Sequence, residues 1–229
     1  AVPAAIKRIQ PDIIAMQEVE SEQALRWFRD QHLKGEGYDY LVSIDSGDGR
    51  GIECSLLSRF PISDPKVWPL LPLGGTHPAK WGRDENQEAG KPILFRRGPL
   101  RATVTIPADV VAKRAADAGV RFVKAPDAQK ITFFVCHQKS GGPGGYWRER
   151  EALKTVELMQ EFVGKNPGAA IVVCGDMNTQ PGTPPIQTYL SAGLVDAFGD
   201  RKPGDDATST HASGRVIDFI FLNDALAGR

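Results

Sequence analysis

Cysteine is scarce in this chain: only Cys54, Cys136 and Cys174 occur in 229 residues. An odd trio supplies no disulfide framework, and the spacings match no zinc site. Each cysteine lies inside an apolar run (ECSLLS, TFFVCH, IVVCGD) and reads as a small buried hydrophobe. Cys136 and Cys174 become neighbours if their two strands pair. Excess charge is lacking too: 28 Lys and Arg balance 28 Asp and Glu. A strongly basic nucleic-acid binder would carry a positive surplus, so any grip on a polyanion must come from a local patch or a bound metal. No apolar run approaches the roughly 20 residues that span a bilayer. No signal peptide opens the chain, and the compartment stays open. Neither GxSxG nor GxxxxGK[ST] occurs, which removes the usual serine-hydrolase elbow and the nucleotide phosphate loop.

What is present reads as one large domain over 1–229, with 41% hydrophobic and 24% charged residues. Residues 4–10 are helical in character and Pro11 ends them. Strand-like runs follow at 12–17, 38–44, 53–58, 100–106, 131–137, 171–174 and 216–222. Helical periodicity predicts helices at 21–33, with Leu25, Trp27, Phe28 and Leu33 inward, and at 146–163, with Leu153, Val156, Met159 and Val163 inward. A short helix is expected near 185–192, and a helix or loop insertion at 108–128. GDGRG at 47–51 reads as a turn, and GGPGG at 141–145 as a break. Residues 69–92, rich in Pro, Gly and charge, read as a surface excursion in which His77, Trp81 and Arg83 are candidates to touch substrate. Strands and helices alternate without a regular βαβ period, which suggests an α/β sandwich built on mixed sheets.

Chemistry concentrates where apolar strands end. Glu18 closes DIIAMQE, His137 closes ITFFVCH, Asp176 and Asn178 close IVVCGDMN, and Asp218 sits inside VIDFIFL. Any one of these alone reads as a satisfied core or capping group. Four such sites on one sheet edge would converge in a single crevice, since a buried charge is costly unless paired or metal-bound. Carboxylate and amide oxygens without clustered Cys or His favour a hard cation such as Mg²⁺, Mn²⁺ or Ca²⁺.

These segments resemble the endonuclease/exonuclease/phosphatase family, the deoxyribonuclease-like metal-dependent phosphoesterases, nearly from end to end. The resemblance implies a four-layered α/β sandwich of two packed mixed sheets flanked by helices. It implies that Glu18 in PDIIAMQEV is the principal metal ligand. Asp176 in VVCGDMN would activate or orient the attacking water, and Asn178 would bind the scissile phosphate. Asp218 in RVIDFIFL would orient the histidine or a phosphate-binding group, and His137 in FVCHQKS would act as phosphate donor or general acid. Glu53 in ECSLLSRFP would pair with His137 and hold it protonated, and Arg97 in FRRGPL would contact the substrate phosphate.

The family's first strand with its Asn and its last strand with an Asp-His pair have no counterpart here. The chain is therefore expected to lack both terminal strands of the domain, and to be weakly active as it stands. The expected function is hydrolysis of a phosphodiester by in-line attack of water, nuclease-like, with Mg²⁺ or Mn²⁺ as cofactor. The partner is a phosphoester substrate, nucleic acid among the candidates. A monomer without an obligate protein partner is expected. Two alternatives stand beside this reading: a degenerate member serving as a binding or scaffold module, and a phosphoesterase for phospholipid or another small phosphoester.

Overall fold

The computed structural model describes residues 1–122, 124–141, 144–199 and 209–228. Its centre is a six-stranded mixed sheet in the order β12 (Val195–Asp196), β13 (Asp218–Leu222), β11 (Ala170–Asp176), β10 (Gln129–His137), β9 (Leu100–Ile106) and β4 (Ile62–Lys66). A three-stranded antiparallel sheet, β1 (Ile13–Val19), β3 (Glu53–Ser58) and β2 (Tyr40–Ser43), packs against one face of it.

Strand alternation decides what each face meets. Along β10, Phe134 and Cys136 point to α4 (Gly145–Lys165) and α5 (Pro184–Ser191), joining a core with Trp147, Met159 and Tyr189. Val135, on the opposite face, joins Val42, Cys54, Leu56, Leu100, Val172 and Cys174 between the two sheets. Outside the small sheet, Ile6 of α1 (Val2–Ile9) and Leu33, just past α2 (Glu22–His32), pack with Tyr38 and Leu57. The layers run helix, six-stranded sheet, three-stranded sheet, helix. This is the four-layered α/β sandwich expected from the sequence.

The strand at 53–58 and the one at 100–106 fall where the sequence places them. β10 and β11 do pair, in parallel, joined through α4. Cys136 lies opposite Gly175 and Cys174 opposite Val135, so the two thiols face opposite layers. All three cysteines are free and buried.

Four expectations need correction. Trp27 is 60% exposed and Leu153 41% exposed, so neither faces the core. In α4 the buried stripe is Trp147, Arg148, Glu151, Ala152, Thr155, Val156, Leu158 and Met159, offset from the predicted one. Asp218 opens its strand instead of lying inside it. The excursion at 69–92 is organised: β5 (Pro72–Thr76) pairs with β8 (Pro92–Leu94), and β6 (Lys80–Trp81) with β7 (Asp84–Glu85). Leu73, Ile93 and Phe95 root it in the helix-side core. The insertion after β9 carries one helix, α3 (Ala108–Asp117).

Candidate active site

The site grows out of strand register. His137, Asp176 and Asp218 stand in one row across β10, β11 and β13, each aligned with its neighbour. By alternation, His137 and Asp176 share the face of Val135 and Cys174, which looks toward the small sheet. Glu18 meets them from that sheet. The β1–β3 ladder is irregular between Met16 and Val19, and Glu18 there has φ 58. Left-handed backbone at a residue with a side chain is strained and is tolerated at bulges that re-aim a side chain. Glu18 Oε1 lies 3.9 Å from His137 Nε2, and Asp176 Oδ2 lies 3.8 Å from the same nitrogen.

The turn after β11 has its own logic. Gly175 has φ 128, and a Cβ there would stand 2.1 Å from the Cys136 carbonyl oxygen and 2.9 Å from Gln17 Nε2. Only glycine lets the strand end pass this close to its neighbour. Asn178 is also left-handed, at φ 49. Its backbone N–H donates to Asp176 Oδ1 at 2.7 Å, and its side-chain amide donates to the Gln138 carbonyl at 2.9 Å. Asp176 is thereby fixed on one oxygen and free to work with the other.

Arg97, 8% exposed, donates from Nη1 to His137 Nε2 at 2.8 Å. A guanidinium only donates, so Nε2 is an acceptor and the ring proton sits on Nδ1. Burial first, then the Arg97 and Arg50 charges, pull the His137 pKa down to about 4. At neutral pH the imidazole is uncharged, so its approaches to Glu18 and Asp176 are contacts and not ion pairs. Burial pushes Asp176 up to about 6, opposed by the Asn178 N–H and reinforced by Asp218 and Glu18. Burial also raises Asp218, opposed by its hydrogen bond with Thr210.

The expected Glu53–His137 pair is not formed. Glu53 accepts from the Ser43 hydroxyl instead, within the small sheet. Burial and the Arg97 and Arg50 charges, opposed only by Asp48, favour the neutral ring over the protonated one that the pairing would have supported. Asp218 likewise keeps company with Thr210 and His211, with β11 standing between it and His137. The structure brings Glu18, Arg97, His137, Asp176 and Asn178 together, with Asp218 at the end of their row.

Several contributors escaped the sequence reading. Asp48 and Arg50 lie in the GDGRG turn, and Asp48 Oδ2 is 3.4 Å from Arg97 Nε and 3.5 Å from Arg50 Nη2. Glu151, 3% exposed on α4, accepts the Lys139 backbone N–H at 2.7 Å. Arg148 donates to the Lys139 and Gly141 carbonyls at 2.9 and 2.8 Å. These two side chains clamp the segment that follows His137. Both lie off the predicted apolar stripe of that helix, where charged residues read as surface, so no sequence signal marked them.

Among the described residues, no three His, Cys, Asp or Glu side chains gather round one point as a closed metal cage. A hard cation such as Mg²⁺ keeps several waters and commonly takes one or two carboxylates plus substrate oxygens. Glu18, with its carboxylate 64% exposed near the half-buried carboxyls of Asp176 and Asp218, whose pKa values are raised, fits that open mode.

The sequence profile of the Endonuclease/Exonuclease/phosphatase family matches residues 1–229, and the chain belongs to that family. The family is one of phosphoesterases. Three solved structures share its fold at low identity. The human Nocturnin catalytic domain, solved with a bound sulfate anion, is 14% identical at TM-score 0.59, covering 97% of this chain and 73% of that one. A family protein from Leptotrichia buccalis is 19% identical at TM-score 0.58, covering 98% and 80%. A mannosyl-6-phosphatase from Bacteroides thetaiotaomicron is 18% identical at TM-score 0.58, covering 97% and 75%. No curated protein sequence matches the chain.

Proposed function

We propose that the protein is a divalent-metal-dependent phosphoesterase that hydrolyses its substrate by in-line attack of water. The observation that carries this reading is the meeting of Glu18, Arg97, His137 and Asp176 at one edge of the two sheets.

Glu18 would hold Mg²⁺ or Mn²⁺. When bound, such an ion neutralises phosphate charge and stabilises the leaving oxygen. Arg97 offers a planar, permanently charged donor to the non-bridging phosphate oxygens. Asp176, ionised above about pH 6, accepts the proton of the attacking water. Asn178, held by its backbone beside Asp176, turns its amide to the phosphate in exchange for the Gln138 carbonyl. His137, neutral with its proton on Nδ1, positions Arg97 and offers a neutral donor to the phosphate. A water–phosphorus bond forms, the bond to the leaving oxygen breaks, and the water proton passes to Asp176.

Nuclease-like cleavage of a phosphodiester is the direct form of this proposal. A small phosphoester is the second, favoured by the balanced charge of the chain.

The test is hydrolysis of bis-p-nitrophenyl phosphate with Mg²⁺ or Mn²⁺, alongside calorimetric Mn²⁺ binding. Both would be run on this chain and on the longest product of its gene. Turnover should vanish with EDTA and with Glu18→Ala. Asp176→Ala should slow it by about 10²–10⁴-fold, the usual worth of a positioned base. No turnover in either form, together with no Mn²⁺ binding that depends on Glu18, would sink the reading.

A further inference from the structure

Arg97 lies between β8 and β9, outside any strand, so no ladder fixes where its side chain points. Two side chains do so instead. Its Nη1 donates to His137 Nε2 at 2.8 Å, and its Nε lies 3.4 Å from Asp48 Oδ2. Its Nη2 has no hydrogen-bond partner among the described residues. A guanidinium carries its five N–H groups in one rigid plane, so fixing two nitrogens aims the third.

Asp48 comes from the GDGRG turn between β2 and β3, and that turn is built to hold it still. Asp45 Oδ1 accepts the Gly47 N–H at 2.7 Å, and Asp48 Oδ1 accepts the Arg50 N–H at 3.0 Å. The Gly51 N–H closes the turn on the Asp48 carbonyl at 2.8 Å. Gly47 and Gly51 supply the left-handed conformations, φ 79 and 62, that the reversal requires. Oδ1 is thereby spent on the backbone. Oδ2 is buried and makes no hydrogen bond, and its charge is answered by two guanidiniums, Arg97 Nε at 3.4 Å and Arg50 Nη2 at 3.5 Å. A carboxylate whose side chain is only 8% exposed is costly without such partners.

Arg50 is the second cation on that oxygen, and its side chain is 53% exposed. Burial first, and then the Arg50 charge, lower the Arg97 pKa, and the same charge acts on His137. Its guanidinium therefore stands close to both. Two cations this near repel each other, and one carboxylate between them offsets one charge only. The surplus is positive, and it lies on nitrogens that have no hydrogen-bond partner among the described residues.

We infer that Asp48 is a positioning residue of the phosphate site, sharing one carboxylate between Arg97 and Arg50 so that both guanidiniums meet the same phosphate, with Arg50 as a further substrate contact. This rests on the phosphoesterase reading above and adds two residues to its site. Contacts of this kind are often long in a free site and tighten round the bound substrate.

Calorimetric binding of inorganic phosphate to this chain, with Mg²⁺ present, tests it, because the two accounts of Asp48 differ in sign. Deleting a negative charge beside an anion site tightens the anion if charge is all that matters. Asp48→Asn keeps the side-chain oxygen that holds the turn and should instead weaken phosphate about tenfold, since Arg97 is no longer aimed. Arg50→Ala, whose contact is more exposed, should weaken it about fivefold. In an Arg97→Lys background, which keeps a cation but no fork, Asp48→Asn should cost about twofold at most. Tighter binding in Asp48→Asn, the same cost in both backgrounds, an affinity indifferent to Arg50→Ala, or no phosphate binding by the parent would each overturn the inference. Binding is read without turnover, so the two readings fail separately. Glu18-dependent turnover with a phosphate affinity indifferent to Asp48 sinks the positioning role alone, and an Asp48-dependent affinity without turnover sinks the phosphoesterase alone.

Discussion

At the scale of single residues, the site depends on backbone conformations that side chains ordinarily avoid. Glu18 and Asn178 are two of only five positive-φ residues other than glycine among the described residues, and both stand at the row of His137 and Asp176. Gly175 between them in space admits no side chain at all. Gly175→Ala would force a methyl carbon within 2.1 Å of the Cys136 carbonyl at a φ of 128. The strands must part or the peptide must turn, at a cost of about 3 kcal/mol or more. Urea unfolding should show that loss, with β10 and β11 the strands that separate. A midpoint equal to the parent's would mean the close approach carries no weight. The Gly-Asp pair was legible as a strand end, but its reason was not. The reason is a neighbour's carbonyl, 39 positions back in sequence at Cys136, and local pattern carries no record of it.

At the scale of elements, α4 does more than cover a sheet. Its Glu151 holds the Lys139 N–H while buried, and burial raises the carboxyl to about 7 from an ordinary value of 4.5. The native state therefore keeps a proton between about pH 4.5 and 7 that the unfolded chain has already released. Stability from this group is full below that window and falls as pH rises through it. Glu151→Gln keeps an acceptor for Lys139 and removes the titration. The difference in unfolding free energy between variant and parent should grow in the variant's favour by up to about 3 kcal/mol from pH 4.5 to 7, then level off. Taking the difference cancels His137, whose lowered pKa acts in the opposite sense between about 4 and 6.5, and Asp176, whose raised one acts in the same sense. A pH-independent difference would show that Glu151 titrates normally. Period analysis found this helix but set its stripe off by placing Leu153 inward. Glu151 and Arg148 were hidden because buried charges look like surface on a helical wheel. Phe134 and Cys136 against Val135 and His137 were legible from alternation alone. The Pro- and Gly-rich excursion hid β5 to β8, whose pairing is set by contacts with Leu73 and Ile93 and not by strand propensity.

At the scale of the whole molecule, two apolar cores lie on opposite faces of one sheet, and each holds cysteine. Cys136 belongs to the helix side, and Cys54 and Cys174 lie between the sheets. Burial pushes the Cys54 and Cys174 thiols up to about 12 and Cys136 well above its ordinary value. Thiolate is the reactive form, so none should react with Ellman's reagent in the folded protein, and all three should react in denaturant. Because both cores are sampled, the slow native rate should equal the rate of global unfolding. One thiol reacting well ahead of the others would show that one core opens independently. The layered order of the sandwich was readable from the resemblance, and its mixed sheets from the alternation of elements. The meeting of Arg97 with His137 and Asp48 was not, since it joins three distant turns.

The excursion between β4 and β9 is rooted by Leu73, Ile93 and Phe95, with His77 buried against Trp81 and Trp147, while the proposed reacting groups stand at the strand ends of the two sheets. The excursion and the strand ends that carry the proposed reacting groups are thus separate stretches of chain with separate folding constraints. Mutations can accumulate in residues 76–92 without disturbing the register that aligns His137 with Asp176. On the proposed function, the architecture lets the surface around the strand ends drift across generations while the register of those ends stays fixed.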